Sequence, residues 1–77
     1  MLILSQDRKK ITLINALACI EIRHDGVTKR DVNGYWSINA QEVFEHTLGK
    51  YQTEERAVQV LRDIFNCIEN KYIMPEK

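Results

Sequence analysis

The sequence predicts an α+β domain in which an antiparallel β-meander of about four to five strands packs on one C-terminal α-helix. Three observations carry this. Residues 53–70, TEERAVQVLRDIFNCIEN, repeat apolar side chains at a helical period, whereas the segments before them alternate or run in β-branched residues. Asp25-Gly26 and Asn33-Gly34 are strong hairpin signals, because both dipeptides tolerate the positive φ of a tight turn. The expected division of the single domain is 1–51 for the meander, 53–70 for the helix and 71–77 for a tail.

In chain order, residues 1–4 form a short apolar run that ends at the turn-like Ser5, Gln6 and Asp7, so a brief strand and a loop through Lys10 are expected. Residues 11–14 are a second β-branched run. Between 16 and 23 the pattern becomes alternating: Ile20 and Ile22 share one face, Glu21 and Arg23 the other. The alanines there make a helix over 11–19 a competitor. The segment 27–32, VTKRDV, has little to bury and is expected to be an exposed hairpin or loop, or a strand of its own. Residues 35–40, YWSINA, alternate again, with Trp36, Ile38 and Ala40 toward the core. Residues 42–51 supply a last strand with Phe44 and Leu48 inward, and Gly49 marks a bend or a close approach of backbones near its end.

On a wheel of roughly 100° per residue, Ala57, Val58, Val60, Leu61, Ile64, Phe65, Cys67, Ile68 and Tyr72 fill one half of the helix. Thr53 can cap the first turn, and Glu54 and Glu55 place negative charge at the positive end of the helix dipole. Asn70 and Lys71 suit its C-terminus, and Pro75 cannot continue it. The apolar arc exceeds the ~100° stripe of a surface helix. Either the helix sinks deeply into the sheet, or a flank, Val60 with Cys67 or Val58 with Phe65, meets a second copy of the chain.

Leu48-Gly49-Lys50-Tyr51-Gln52-Thr53-Glu54-Glu55-Arg56-Ala57, followed by Val60-Leu61 and Ile64, resembles the C-terminal signature of small uncharacterised proteins of Gram-positive bacteria and their phages, in which a strand ending LG.Y leads into TEERA and a helix. The YWSINA segment matches their penultimate strand. The resemblance covers the last half of the chain and implies a β-meander with a C-terminal helix. It implies no activity, and no catalytic or ligand residue is carried over.

Composition narrows the function classes. At 77 residues the chain is near the size at which one core supplies only ~3–5 kcal/mol, which favours self-association. Eleven basic residues balance eleven acidic ones, so no global field attracts duplex nucleic acid or an anionic membrane. No run reaches the ~18–20 apolar residues of a membrane span. Cys19 and Cys67 are far apart and read as small buried hydrophobes in a reducing cytoplasm. Arg8, Lys9 and Lys10 ahead of ITLINALAC loosely resemble a lipoprotein leader, but the apolar residues 1–4, Asp7 and Asn15 interrupt that pattern, and two strands account for the segment better.

No site chemistry stands out. Cys19, His24, His46 and Cys67 lack the close, repeated spacing of a metal set. Gly26, Gly34 and Gly49 are dispersed and none opens a helix, so no phosphate loop is present. Glu42 with Glu45 and Glu54 with Glu55 read as solvated carboxylates. A Cys and His nucleophile would rest on Cys19 alone. The expectation is therefore a non-enzymatic cytoplasmic interaction module that forms a homodimer or binds another protein, with no catalytic, cofactor-binding or metal residue and no small-molecule substrate. The alternative is a nucleic-acid-associated accessory factor using the 27–36 hairpin, with Lys29, Arg30, Tyr35 and Trp36 as its contacts.

Overall fold

The computed structural model describes residues 1–14, 18–26, 34–42 and 44–77. These residues form strands β1 (Leu2–Leu4), β2 (Ile11–Leu13), β3 (Cys19–Asp25), β4 (Tyr35–Gln41) and β5 (Glu45–Tyr51), helix α1 (Glu54–Asn66) and strand β6 (Lys71–Ile73). The fold is α+β, as the pattern of strands followed by a helix predicts. Strands β3, β4 and β5 make an antiparallel meander, and β1 forms a second, small sheet with β2 antiparallel on one side and β6 parallel on the other.

The meander follows from alternation. Ile38 and Ala40 of β4 are fully buried, and Ile20, Ile22 and Trp36 pack against them from the same face. Helix α1 lies over this sheet, touching β3, β4 and β5. Its start is as the sequence requires, with the Thr53 hydroxyl accepting from the Arg56 N–H at 3.1 Å. Ala57, Val60 and Ile64 are its buried residues, spaced three and four apart, and they meet Ile3, Leu48, Tyr51 and Met74 in one core. Gly26 and Gly34, with φ of 74° and 59°, sit at the two ends of the β3–β4 connection. The expected arm at 27–32 lies outside the described residues. The competing helix over 11–19 does not form at its ends, where Ile11–Leu13 is β2 and Cys19 opens β3.

Several expectations are corrected. The helix stops at Asn66, not Asn70, and Tyr72 belongs to a strand. The cause is pairing from the other end of the sequence: β6 aligns with β1 as Leu2↔Lys71, Ile3↔Tyr72 and Leu4↔Ile73, and the Leu2 N–H donates to the Asn70 carbonyl at 2.8 Å. The chain must leave the helix by Cys67, which is extended. Residues 71–77 are therefore not a tail, and Met74 is a fully buried core residue. Phe44 precedes β5 and is exposed, since β4 runs to Gln41 and β5 starts only at Glu45. At Gly49 the close approach is of side chains, not backbones. A β-bulge shifts the β4–β5 register beside it, and a Cβ there would lie 3.0 Å from the Tyr51 hydroxyl and 3.2 Å from Met74 Cε.

The two sheets are joined through Gln6. Its N–H donates to the Leu48 carbonyl (2.9 Å), while its side-chain amide accepts from the Lys50 N–H (2.7 Å) and donates to the Lys50 carbonyl (2.8 Å). One side chain thus satisfies the outer edge of β5 as another strand would. On the inner face of the small sheet, Thr12 stands opposite Ile3 and is buried, and among the described residues its hydroxyl has no partner. An unpaired buried hydroxyl costs about 1–3 kcal/mol. Thr12→Val, nearly the same shape, is expected to raise stability by about 1 kcal/mol; a urea midpoint that falls would contradict this.

Candidate interaction surface

Strands β1, β2 and β6 are each three residues long and mostly apolar on both faces, Thr12 and Lys71 apart. Ile3, Thr12 and Tyr72 point to the core. The registers place Leu13, Leu2 and Lys71 in one row of the outer face, and Ile11, Leu4 and Ile73 in the next. Lys71 is the only charge among these six and stands at a corner. Ile11 is 67% exposed, Leu13 66%, Ile73 61% and Leu2 42%. Fully burying one such side chain returns roughly 1.5–3 kcal/mol, so covering these four would return about 3.5–7 kcal/mol per chain. That equals or exceeds the ~3–5 kcal/mol a core of this size supplies.

A second apolar area lies on the helix. Leu61 and Phe65, with Ile20, Ile64 and Arg62, line a shallow groove, and Phe65 and Ile68 are exposed. Of the flanks expected to meet a second chain, Val60 is instead at the centre of the core, Cys67 and Val58 are half-buried, and Phe65 projects into solvent. The wide arc thus divides into a buried stripe and an exposed margin.

The opposite face of the meander carries polar chemistry. Ser37 and Asn39, although fully buried, point away from the helix. The Asn39 amide donates to Ser37 Oγ (2.8 Å), the Ser37 hydroxyl donates to Asp25 Oδ2 (2.7 Å), and the Thr47 hydroxyl donates to Asn39 Oδ1 (2.9 Å). Arg23 bonds both carboxylate oxygens of Asp25 at 3.1 Å and pairs with Glu45. The Ser37 hydrogen bond, then that of Arg23, holds the Asp25 carboxyl below its usual range, and Glu45 followed by Asp25 raises Arg23 further. These donors and acceptors are satisfied by one another, which ties β3, β4 and β5 together across this face.

The residues considered for metal or nucleophilic chemistry are dispersed. His24 lies on β3 and stacks on Trp36 with ring centroids 4.1 Å apart. His46 is half-buried on β5. Neither cysteine is a buried hydrophobe: Cys19 is exposed at the start of β3, and the half-buried Cys67 thiol contacts the carbonyls of Glu69 and Lys71 at 3.7 and 3.6 Å. Among the described residues no group of three His, Cys, Asp or Glu side chains is placed to hold a metal, and no helix is long and apolar enough to cross a membrane. Lys29 and Arg30 of the nucleic-acid reading lie outside the described residues. Of its aromatic pair, Tyr35 lies under Lys50 Nζ at 4.7 Å and Trp36 is stacked on His24. The outer sheet face was missed as a surface because an unbroken apolar run looks like one buried strand; two such short runs, 1–4 and 11–14, were the available signal.

A carboxyl whose folded pKa is depressed stabilises the fold above the ordinary Asp range, and that contribution is lost as pH falls through the folded pKa. Asp25 behaves so, as does Asp7, which accepts from Ser5 Oγ at 2.6 Å. Urea midpoints should therefore hold through neutral pH and decline below about pH 4. Asp25→Asn is expected to lower the neutral-pH midpoint and leave a shallower acid decline, owed to Asp7; an unchanged acid slope would contradict the assignment. No protein-family model, no curated protein and no solved structure matches this chain.

Proposed function

We propose that this protein is a non-enzymatic interaction module of the bacterial or prophage cytoplasm, and that it self-associates by packing the outer face of its small sheet on the same face of a second copy. The observation that carries this reading is the group of exposed aliphatic side chains Leu2, Ile11, Leu13 and Ile73 on one sheet face. Covering that face on both copies returns about 7–14 kcal/mol, against an association cost of roughly 4–15 kcal/mol. The two are of the same scale, so the proposed dimer is expected to depend on concentration. A second copy fits because the formal net charge is zero, so two chains meet without net repulsion. Lys71, at a corner of the face, keeps its ammonium in water at the rim. The unpaired cysteines suit a reducing compartment.

The test is sedimentation or native mass across a concentration series. Wild-type chain should pass from monomer to dimer. Leu13→Glu buries an unpaired charge in the contact and should weaken the dimer by at least ~30-fold, equivalent to about 2 kcal/mol. Val58→Glu, on the helix, should leave it unchanged. A wild-type chain that stays monomeric at millimolar concentration, or a dimer that survives Leu13→Glu and fails with Val58→Glu, would refute the reading.

A further inference from the structure

Much of what holds the segment after α1 is bonding to its main chain. Strand β6 lies parallel to β1, and the Met74 N–H donates to the Leu4 carbonyl at 3.0 Å. Four successive main-chain oxygens then meet four side chains. Met74 O accepts from Arg8 Nη1 (2.6 Å), Pro75 O from the Tyr51 hydroxyl (2.9 Å), Glu76 O from Gln6 Nε2 (2.9 Å) and Lys77 O from Arg56 Nε (2.8 Å). These donors come from the β1–β2 turn, from β5 and from α1, all outside the segment. Gln6 is fixed to both main-chain groups of Lys50, and Tyr51 is buried in the core. Burial pushes the Tyr51 phenol up to about 12, so it keeps the proton it donates. Two alternate side chains anchor the segment: Met74 is fully buried and Tyr72 is half-buried against the core, whereas Ile73 and Glu76 are exposed and the Glu76 carboxylate pairs with Arg8 at 3.5 Å. Main-chain hydrogen bonds with pockets for alternate side chains are how sheets recognise an added strand. The molecule thus contains a groove for an extended segment, occupied by its own residues 71–77.

The link between helix and segment is built to change. Residues 67–70 contain no glycine or proline, and the last helical turn has no basic residue to favour its end. The apolar spacing Leu61, Ile64, Phe65 continues to Ile68, four residues beyond Ile64, but the helix stops at Asn66 and leaves Phe65 and Ile68 exposed. Continuing the helix through residue 70 would place Ile68 beside Ile64 and Phe65. It would extend the helix by about 6 Å and lift residues 71–77 from their own groove.

We propose that the groove formed by β1, Gln6, Arg8, Tyr51 and Arg56 receives the 71–77 segment of a second copy, with α1 continued through residue 70, so that two chains exchange their last strand. Every contact of the segment is repeated between chains, and only the link changes, which makes exchange an inexpensive route to a dimer.

Complementation between two full-length variants tests this. Both carry Leu13→Glu, so that association through the outer sheet face is silent. One adds Met74→Asp, which disables the segment and leaves the groove; the other adds Gln6→Ala and Arg8→Ala, which disable the groove and leave the segment. After joint unfolding and refolding, native mass spectrometry should show the mixed dimer at least tenfold above either homodimer. Monomers alone, or mixed and like dimers in statistical proportion, would overturn the exchange. Where a variant does not fold alone, far-ultraviolet circular dichroism decides: mixing should restore helical signal above the average of the separate samples, and a signal at that average would overturn the proposal.

Discussion

The parallel pairing of β6 with β1 is the constraint on which the rest of the molecule depends. A two-stranded hairpin of three-residue strands cannot persist by itself in water. The third strand completes the small sheet and delivers Met74 into the core beside Ile3, Leu48 and Val60. The same pairing ends α1 at Asn66, because residues 67–70 must carry the chain from the helix to the edge of β1. It also brings residues 74–77 under Gln6, Arg8, Tyr51 and Arg56, whose donors satisfy carbonyls that would otherwise face solvent. Gln6 belongs to this seam and to the edge of β5 at once, so the meander and the small sheet share one core rather than two.

That arrangement determines which surfaces remain for function. The inner face of the meander is covered by the helix, and its outer face is closed by the Asp25, Ser37, Asn39 and Thr47 chain of hydrogen bonds. Among the described residues no helix lies over the outer side of the small sheet. Five of its six side chains there are aliphatic, because strands this short, apolar at every position but one in β1 and β2, present the same chemistry in both directions. Recognition by apolar packing is the activity that such a face supports.

Features set by near neighbours were legible in the sequence. Thr53 capping the Arg56 N–H and the acidic first turn locate the start of α1 to the residue. Alternation located β4, a short apolar run located β1 and a β-branched run located β2. Features set by distant partners were not legible. Strand β6 was hidden because the helical period runs on to Ile68 and Tyr72, and nothing local announces a strand partner at Leu2–Leu4. Ser37 and Asn39 alternate as solvent-facing residues do, yet a central strand flanked by Arg23 and Thr47 buries them. The interaction surface combines both cases: Ile11 and Leu13 were evident as apolar residues, but only the registers with Leu2, Leu4 and Ile73 gather them on one face.

An isotope-filtered NOE spectrum of an equimolar mixture of labelled and unlabelled chain detects contacts between copies and nothing else. Intermolecular signals joining the methyl groups of Leu2, Ile11, Leu13 and Ile73 are expected. Intermolecular signals confined to Val58, Leu61 and Phe65, or none at millimolar concentration, would contradict self-association through the outer face of the small sheet.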